Sequence, residues 1–455
     1  MNLNKINKIH FIGIGGIGVS AIAKMMLKLG KKVSGSDVCR SEIINKLVSA
    51  GAKVNFVHQA SNLSDDVDLA VYSVAVPNDN PERLQAEELN IPQMSYGEFL
   101  GQLSEDKKTI AVTGTNGKTT TSAILGKALV DCGLDPTVII GSQLKDFDGN
   151  LHLGQSEYLA IEADEYKANM LKVKPWSILL TSIEEDHLDF YKDLADIVDH
   201  FQRFVDKLPA SGFLFYNADD ANIKNLKLPQ NSFSCSLNQQ ADYWAKDIKL
   251  ESENYKFKAY HQDKFLDEFS LKIPGNYNIL NSLMAIGLCH QMKIDLNQVK
   301  KSLAGFSNLW RRFEVLGNLN EADNVLTVSD YTHHPSAIKK TLKAAKEFYP
   351  GRRLFLVYQP HQHDRTKKLF AEFINCFNQA DYVILHEIYD VAGRKYEADE
   401  KISSKNLVDK INKNNVVYSS DFATTKKLIY KNIRASDLLL IMGAGDIDNL
   451  ARELV

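Results

Sequence analysis

Gly-Thr-Asn-Gly-Lys-Thr-Thr-Thr, residues 114–121, follows the apolar run 109–112 and precedes a helical pattern that extends to about Val130. In such a turn, glycines let backbone N–H groups converge on phosphate oxygens, and the helix N-terminus adds positive partial charge. We expect Lys118 to contact the β- and γ-phosphates of a nucleoside triphosphate and the Thr119 hydroxyl to help hold Mg²⁺. Val112 replaces the first glycine of the standard GxxxxGK[ST] spacing, which leaves an ordinary glycine-rich turn as the alternative. A lysine followed by three threonines argues against that alternative.

Two further blocks repeat this order of strand, turn and helix. The first runs from 8–12 through Gly-Ile-Gly-Gly-Ile-Gly (13–18) into an apolar-periodic stretch at 19–29. The other opens near Val325 and alternates helical segments with apolar runs at 354–357, 382–385 and 438–442. Such alternation is typical of parallel sheets covered on both faces. At 455 residues, and with about 150 residues per domain, the sequence predicts an α/β protein of about three domains.

The N-terminal turn lies between a strand and a helix, the setting in which a GxGxxG turn binds a pyrophosphate. Its glycines are Gly13, Gly15, Gly16 and Gly18. Asp37 ends the next strand-like run, where an acid can accept a hydrogen bond from a ribose hydroxyl. This motif does not name the nucleotide, so a nicotinamide-dependent oxidoreductase is an alternative function. That alternative explains neither Lys118 and Thr119 nor the acidic runs farther along the chain.

Two acidic runs follow strand-like segments downstream of the phosphate loop. Glu-Ala-Asp-Glu (162–165) follows 158–161, and Glu-Glu-Asp-His (184–187) follows 177–180. Because the carboxyl ends of parallel strands meet at one edge of a sheet, both runs should lie beside the loop. Their carboxylates, with a neutral His187, would coordinate Mg²⁺. Either run alone could be solvated loop charge, but the pair beside a phosphate loop favours a metal site.

Other polar residues lie farther along the chain. Asn278 and Asn281 are three apart on a predicted helix and should share a face. The Arg311–Arg312 pair could reach a transferred phosphate. Histidines near 333 and 361 have poor spacing for a zinc site. We also predict polar connectors at 101–108 and 316–324, and an antiparallel insertion between about 232 and 272.

Composition and charge exclude several classes of protein. A net charge of −3 argues against a nucleic-acid or anionic-membrane partner. The five cysteines are scattered without a CxxC pair, which favours buried thiols in a reducing cytosol over disulfides. The polar N-terminus lacks the apolar core of a signal peptide, and no apolar run is long enough for a membrane span. We therefore expect a cytoplasmic protein, active as a monomer or weak homodimer.

The motifs as a set resemble the Mur ligases of peptidoglycan synthesis. They occur in the family's order over nearly the whole chain: HFIGIGGIGVSAIA with GSD, SVAVPNDNPE, GTNGKTTT, EADEY, EEDHLDFY, PGNYNILN, RRFE, DYTHHP, YQPHQHDRT and GAGDI. The resemblance implies a Rossmann-like UDP-sugar domain (1–105), a central ATP-binding domain (106–315) and a Rossmann-like α/β domain for the amino acid (316–455). It implies ligation of L-alanine to the lactyl carboxylate of UDP-N-acetylmuramate with ATP and Mg²⁺, through an acyl phosphate.

The resemblance also implies roles for individual residues. Those for the UDP-sugar are Gly13, Gly15, Gly16, Gly18, Asp37 and Ser73. Those for ATP are Gly114, Thr115, Asn116, Gly117, Lys118, Thr119, Thr120, Asn278, Asn281, Arg312 and Asp330. The implied metal ligands are Thr119, Glu162 and His187, and the implied amino-acid contacts are Tyr331, His333 and Arg365. Catalytic roles fall on Lys118, His187, Arg312 and His333.

Four positions depart from what is usual in the alanine-adding members of the family: Asn116, Tyr277, Ser329 and Gln362. They leave glycine or serine open as the added amino acid. Within the family, a murein-recycling ligase that adds a tripeptide is the alternative, although DYTHHP and QPHQHDRT are more similar to the alanine-adding members. A regulatory nucleotide-binding protein without catalysis is disfavoured because Lys118, Glu162 and His187 are present.

Overall fold

The N-terminal residues form a parallel five-stranded sheet in the order β3-β2-β1-β4-β5. The computed structural model describes residues 5–188, 190–307, 309–320, 322–390 and 402–455. The strands are β1 (Lys8–Ile12), β2 (Lys32–Ser36), β3 (Lys53–Asn55), β4 (Leu69–Tyr72) and β5 (Gln93–Ser95). The helices are α1 (Ile17–Lys28), α2 (Glu42–Ser49), α3 (Pro81–Glu88) and α4 (Tyr96–Ser104). This strand order is that of a Rossmann-like sheet, whose first turn lies between β1 and α1.

A ten-stranded sheet follows in the order β15-β14-β13-β12-β11-β10-β6-β9-β7-β8. Its strands are β6 (Lys108–Thr113), β7 (Thr137–Leu144), β8 (Gly149–His152), β9 (Tyr158–Glu162), β10 (Ser177–Leu180), β11 (Phe213–Asn217), β12 (Ser232–Ser236), β13 (Tyr243–Glu251), β14 (Asn254–His261) and β15 (Lys264–Leu271). Its helices are α5 (Lys118–Asp131), α6 (Leu194–Val205), α7 (Tyr277–Gln291) and α8 (Leu296–Ala304). The central strand β6 has parallel neighbours on both sides, β9 and β10, so the loop after β6 lies between the ends of these two strands.

The C-terminal residues form a six-stranded sheet in the order β16-β17-β21-β18-β19-β20, antiparallel only where β16 meets β17. The strands are β16 (Glu314–Asn318), β17 (Leu326–Asp330), β18 (Leu354–Tyr358), β19 (Tyr382–His386), β20 (Val416–Ser419) and β21 (Leu438–Met442). The helices are α9 (Pro335–Phe348), α10 (His363–Lys368), α11 (Phe370–Ile374), α12 (Ser404–Ile411), α13 (Phe422–Asn432) and α14 (Ile447–Glu453). The predicted α/β class with mostly parallel sheets is confirmed.

The chain forms two compact units. Unit 1 contains Met1–Asp247, Phe257–Phe269 and Leu280–Ala304, and unit 2 contains Ile248–Lys256, Ser270–Ile279 and Gly305–Val455. Each has its own apolar core: buried residues of β1, β9 and β10 contribute to that of unit 1, and buried residues of β18 and β21 to that of unit 2. The domain limits expected near 105 and 315 stay predictions. In the described part of the chain, no helix combines the length and apolar character needed to span a membrane.

Three local predictions were wrong in part. The segment predicted as a polar connector at 101–108 is helical up to Ser104, because a capping box between Ser95 and Glu98 starts α4 and its residues Phe99 and Leu100 are buried. The connector predicted at 316–324 likewise begins inside β16. The segment at 232–272 is not wholly antiparallel, because β12 runs parallel to β11 and β13 parallel to β12. The strands β13, β14 and β15 are neighbours in the sheet and are joined by two-residue turns at 252–253 and 262–263, a connection length typical of antiparallel hairpins.

Candidate active site

The phosphate loop after β6 has the backbone conformation that its glycines predict. Gly114 (φ 129°) and Gly117 (φ 88°) adopt positive φ angles that side chains rarely allow. A Cβ atom on Gly114 would lie 2.3 Å from the Thr181 hydroxyl oxygen, so this position has no space for a side chain. Lys118 then begins α5, which directs the helix N-terminus at the loop.

Residues 181–184, directly after β10, hold the loop through hydrogen bonds. The N–H of Thr115 donates to the Ser182 carbonyl at 2.8 Å, and the N–H of Asn116 donates to the Ser182 hydroxyl at 3.0 Å. The Thr181 hydroxyl donates to the Asn116 carbonyl at 2.6 Å. The Thr115 hydroxyl donates to the Glu184 carbonyl and accepts a hydrogen bond from the Glu184 N–H. The loop is therefore held by hydrogen bonds to a segment more than 60 residues away in sequence, and sequence reasoning did not identify Thr181 and Ser182 as its support.

The Lys118 ammonium group lies inside the loop against a buried carboxylate. Its Nζ donates to the carbonyls of Gly114 (2.6 Å) and Thr115 (3.0 Å) and lies 2.8 Å from Glu165 Oε2. Burial raises the pKa of Glu165 to about 7 despite the neighbouring lysine. Burial opposes the charge of Lys118, but the carboxylates of Glu165 and Glu162 outweigh it and raise the lysine pKa. Sequence reasoning missed Glu165, although it is the last acid of the quoted run 162–165.

Two of the three predicted metal ligands are in direct contact. The Thr119 hydroxyl donates to Glu162 Oε1 at 3.1 Å, and the Gly141 N–H donates to Glu162 Oε2 at 3.0 Å. A hydroxyl and a carboxylate are the oxygen ligands that Mg²⁺ prefers. Within the described ranges, no three His, Cys, Asp or Glu side chains converge as a ready-made metal site.

The third predicted ligand, His187, lies beside the other end of the acidic run. Its Nε2 is 3.8 Å from Glu165 Oε1 and 3.9 Å from Asp186 Oδ2, and its ring lies 4.7 Å from the Tyr166 ring. The backbone of His187 has φ 53°, an uncommon conformation for a residue with a side chain. Both acidic runs thus lie beside the phosphate loop, as the parallel-strand argument predicted.

The N-terminal glycine turn is held from two sides. The Ser36 carbonyl accepts hydrogen bonds from the N–H groups of Gly13 and Ile14, at 2.9 and 3.0 Å. The Asp37 carboxylate accepts one from the Gly15 N–H at 2.9 Å. A Cβ on Gly13 would lie 3.1 Å from Ser73 Cβ. Asp37 and Ser73 therefore both lie at the turn, and Gly16 and Gly18 open α1.

The two asparagines predicted on one helix both lie near the start of α7 and are buried. The Asn278 amide donates to the Pro274 carbonyl at 2.7 Å. A Cβ on Gly117 would lie 3.1 Å from Asn281 Oδ1, so the Asn281 side chain lies directly against the phosphate loop in unit 1.

In unit 2, Asp330 at the end of β17 bonds to the backbone next to the predicted residues Arg312 and Tyr331. Its carboxylate accepts hydrogen bonds from the N–H groups of Phe313 (2.7 Å) and Thr332 (2.8 Å). Arg311 is buried and donates to the carbonyls of Gly443 (2.5 Å) and Gly445 (2.9 Å). Burial lowers the pKa of Arg311, partly offset by Asp448. Arg311 therefore has a structural role, and the ligand contact of Arg312 stays a prediction.

A row of side chains continues from Arg312 across the carboxyl ends of β17 and β18. The Arg312 guanidinium lies 5.0 Å from the centre of the Tyr331 ring, which lies 5.4 Å from the His333 ring. His333 lies 5.9 Å from the His361 ring, and Arg365 Nη1 is 3.5 Å from His361 Nδ1. The structure therefore brings the three predicted amino-acid contacts together. His361, which connects them, was not predicted, although it belongs to the quoted segment 358–366.

The four positions at which the sequence departs from the alanine-adding members of the family have different surroundings. Asn116 lies in the phosphate loop and Tyr277 is held against Gly275, where a Cβ would lie 2.4 Å from its ring. The Ser329 hydroxyl donates to Asp448 at 2.5 Å, so it supports the buried network around β17. Gln362 has φ 73° and begins the turn into α10.

Comparison with known proteins places these sites in a family. Three family models match the chain in order: "Mur ligase family, catalytic domain" over 8–108, "Mur ligase middle domain" over 112–289, and "Mur ligase, glutamate ligase domain" over 311–445. The chain is 37% identical over 454 residues to a UDP-N-acetylmuramate--L-alanine ligase of Sulfurihydrogenibium sp., covering 99% of this chain and 97% of that protein. The chain belongs to the Mur ligase family.

Solved structures extend the likeness of this Mur ligase to three dimensions. The crystal structure of a UDP-N-acetylmuramate-alanine ligase from Thermotoga maritima matches with a TM-score of 0.84 at 28% identity, covering 98% of each chain. A murein peptide ligase from Psychrobacter arcticus shares the fold, with a TM-score of 0.73 at 23% identity and 98% coverage of each chain. The predicted family, its three-domain α/β fold and the ligase class are confirmed, whereas the roles of individual residues stay predictions.

Proposed function

We propose that this Mur ligase joins L-alanine to the lactyl carboxylate of UDP-N-acetylmuramate with consumption of ATP, in the cytoplasm. The carboxylate oxygen attacks the γ-phosphorus and the bond to the β–γ bridging oxygen breaks, which gives an acyl phosphate and ADP. The amino group of alanine then attacks the acyl carbon, phosphate leaves with the C–O bond electrons, and the nitrogen loses a proton. The full-length likeness to alanine-adding ligases supports this reaction, and five free cysteine thiols support the compartment.

The single observation that carries the proposal is the phosphate loop with its paired Lys118 and its Thr119–Glu162 contact. Phosphoryl transfer between two anions requires positioning and positive charge more than a dedicated base. Lys118 supplies a cation at the β- and γ-phosphates, and the N–H groups at the start of α5 position them. Thr119 and Glu162, with His187 nearby, would hold Mg²⁺, whose chemistry there is to neutralise phosphate charge.

The other two substrates are assigned to the remaining sites. The turn at 13–18, with Asp37 and Ser73, takes the UDP part of the sugar nucleotide. Asn278, Asn281 and Asp330 support ATP binding, and Arg312 stabilises transferred phosphate. Tyr331, His333 and Arg365 receive the amino acid, with the Arg365 guanidinium as partner of its carboxylate. Whether the protein acts as a monomer or weak homodimer stays a prediction.

Phosphate release from ATP by the purified protein tests the reaction. We expect release that requires both UDP-N-acetylmuramate and L-alanine, with glycine and L-serine as weaker substrates. Release with L-Ala-γ-D-Glu-diaminopimelate tripeptide in place of alanine would instead assign the recycling reaction. No release with any acceptor would refute the proposed ligase reaction. Mass spectrometry of the product, which should be heavier than the sugar nucleotide by one alanine less one water, identifies the bond formed.

A further inference from the structure

A fully buried carboxylate, that of Glu82, lies near the N-terminal glycine turn and is not used by any step above. Glu82 is at the start of α3, where its N–H donates to the Asn80 side chain at 2.9 Å. Its Oε2 accepts hydrogen bonds from the Ser36 hydroxyl at 2.6 Å and contacts His10 Nε2 at 3.1 Å. His10 and Ser36 are themselves fully buried, on β1 and β2.

The second carboxylate oxygen of Glu82 contacts three residues of the segment after β3. Glu82 Oε1 accepts hydrogen bonds from the Asn62 amide at 2.6 Å and from the Gln59 N–H at 3.2 Å. His58 Nδ1 lies 3.5 Å from the same oxygen. The buried Glu82 side chain thus contacts one residue on β1, one on β2 and three in the segment that follows β3. Burial alone would raise the pKa of Glu82, but hydrogen bonds from His10, Ser36 and Asn62 outweigh it and lower the pKa, which keeps the carboxylate ionised.

Ser36 connects this carboxylate to the glycine turn by a direct route. Its side chain donates to Glu82, while its backbone carbonyl accepts the N–H groups of Gly13 and Ile14. The next residue, Asp37, accepts the Gly15 N–H. A serine hydroxyl has a single hydrogen, and Ser36 donates it to Glu82. His58 Nδ1 lies 2.9 Å from Ser36 Oγ. In this second hydrogen bond the histidine is therefore the donor.

We propose that Glu82 is a positioning residue for the UDP-sugar, which through Ser36 holds the glycine turn and the start of α1 in the conformation that receives the diphosphate. This inference rests on the proposed function, in which the turn binds the sugar nucleotide. Ionised Glu82 acts only as an acceptor, and each of its oxygens faces donors. Glutamine has the same shape but carries an NH₂ group, which would face one of these donors and break the arrangement.

Glu82→Gln, Ser36→Ala and the double variant test the proposal, with Glu88→Gln at the exposed end of α3 as the matched control. Isothermal calorimetry without ATP measures the dissociation constant for UDP-N-acetylmuramate, and steady-state assays measure KM for each substrate. We expect about 10-fold weaker sugar-nucleotide binding for Glu82→Gln and a smaller loss for Ser36→Ala, as for groups that orient a ligand contact. The KM for ATP and kcat should stay within about twofold, because the turn and the phosphate loop are separate sites.

The double variant decides whether Glu82 acts through Ser36. If it does, the losses of sugar-nucleotide affinity in the two single variants do not multiply. The double variant then binds UDP-N-acetylmuramate no more than about twofold more weakly than Glu82→Gln alone. If Glu82→Gln does not fold, as judged by circular dichroism, Ser36→Ala carries the test, because it leaves the His10–Glu82 contact in place. Unchanged sugar-nucleotide binding in the folded variants, or equal increases in KM for ATP, would overturn the proposal. A wild-type protein that binds no UDP-N-acetylmuramate would refute the proposed function itself, independently of any variant.

Discussion

Lys118 and Glu165 lie side by side in the phosphate loop, with the lysine nitrogen 2.8 Å from Glu165 Oε2. Nucleotide phosphates must therefore compete with Glu165 for the lysine, or share it. The loop carbonyls of Gly114 and Thr115 keep the ammonium group in place during this exchange. At this scale, charge and position are decided by neighbours distant in sequence: Glu165 is 47 residues from Lys118.

Lys118→Ala should abolish turnover and leave sugar-nucleotide binding nearly intact. Removal of a cation from the transferring phosphate typically lowers kcat by a factor of about 100 or more. Binding of UDP-N-acetylmuramate, measured by calorimetry, should change less than about twofold because the glycine turn is a separate site. Lys127→Ala, on the same helix but paired with Asp131 and Asp146, is the control. Loss of sugar-nucleotide binding in Lys118→Ala would show that the two glycine turns have been assigned to the wrong ligands.

Glu162→Gln should raise the Mg²⁺ concentration required for half-maximal phosphate release. A neutral amide is a poorer Mg²⁺ ligand than a carboxylate, and we expect an increase of about 10-fold or more. EDTA should stop the wild-type reaction and excess Mg²⁺ should restore it. Glu157→Gln, at an exposed carboxylate just before β9, is the matched control. An unchanged Mg²⁺ dependence in Glu162→Gln would remove this residue from the metal site.

At the scale of elements, each glycine turn and most predicted ligand residues lie at the carboxyl end of a parallel strand. β10 was predicted at its observed limits, because the short run Ser-Ile-Leu-Leu, with three consecutive apolar residues, is typical of a buried strand. The contribution of Glu165 was not predictable, since nothing in the run 162–165 shows which acid faces inward. The helical part of α4 was missed because its polar residues resemble a connector, and only the cap at Ser95 and burial of Phe99 and Leu100 reveal the helix.

The carboxylate of Glu387 links β19, β20 and α12. We therefore expect the stability of the protein to depend on pH through this group. It accepts hydrogen bonds from the Tyr418 hydroxyl (2.7 Å), the Ser404 N–H (3.0 Å) and the Ile388 N–H (2.8 Å). Burial alone would raise the pKa of Glu387, but these hydrogen bonds outweigh it and lower the pKa below the usual 4.5. Because the folded-state pKa is depressed, the stabilisation is present above about pH 4.5 and is lost as pH falls through the lowered pKa.

Glu387→Gln should therefore destabilise the protein more at pH 7 than at about pH 3.5. The measurement is the urea midpoint of unfolding at both pH values. Glu372→Gln, at an exposed position on α11, is the control and should shift neither midpoint. Equal destabilisation by Glu387→Gln at both pH values would mean that the lost hydrogen bonds, and not the charge, stabilise this part of the sheet.

At the scale of the whole molecule, the order of strand, turn and helix made the fold predictable, because that order is the repeating unit of parallel sheets covered by helices on both faces. The division into compact units was not predictable in this way. Polar segments mark loops only statistically, whereas unit limits depend on contacts between residues far apart in the chain. The strands β13 to β15 illustrate this, since parts of them belong to different units.

Hydrogen exchange should show separate footprints for the two glycine turns of unit 1. UDP-N-acetylmuramate alone should slow amide exchange at 13–18 and leave 114–119 nearly unchanged, and ATP with Mg²⁺ should do the reverse. Ligands slow exchange where they restrict local opening, so mass spectrometry of peptides from each turn measures the effect. Protection of 13–18 by ATP alone would contradict the assignment of that turn to the sugar nucleotide.

The internal pairing of Lys118 has a consequence for inhibitor chemistry. A compound that carries a single negative charge gains little at this lysine, because it must displace Glu165 and leave a buried carboxylate without its partner. Affinity should instead rise steeply with the number of charges offered, or come from neutral groups that leave the pair intact and use the adjacent loop amides. Screening collections of uncharged compounds are therefore better directed at the surfaces around Asn281 than at the lysine itself.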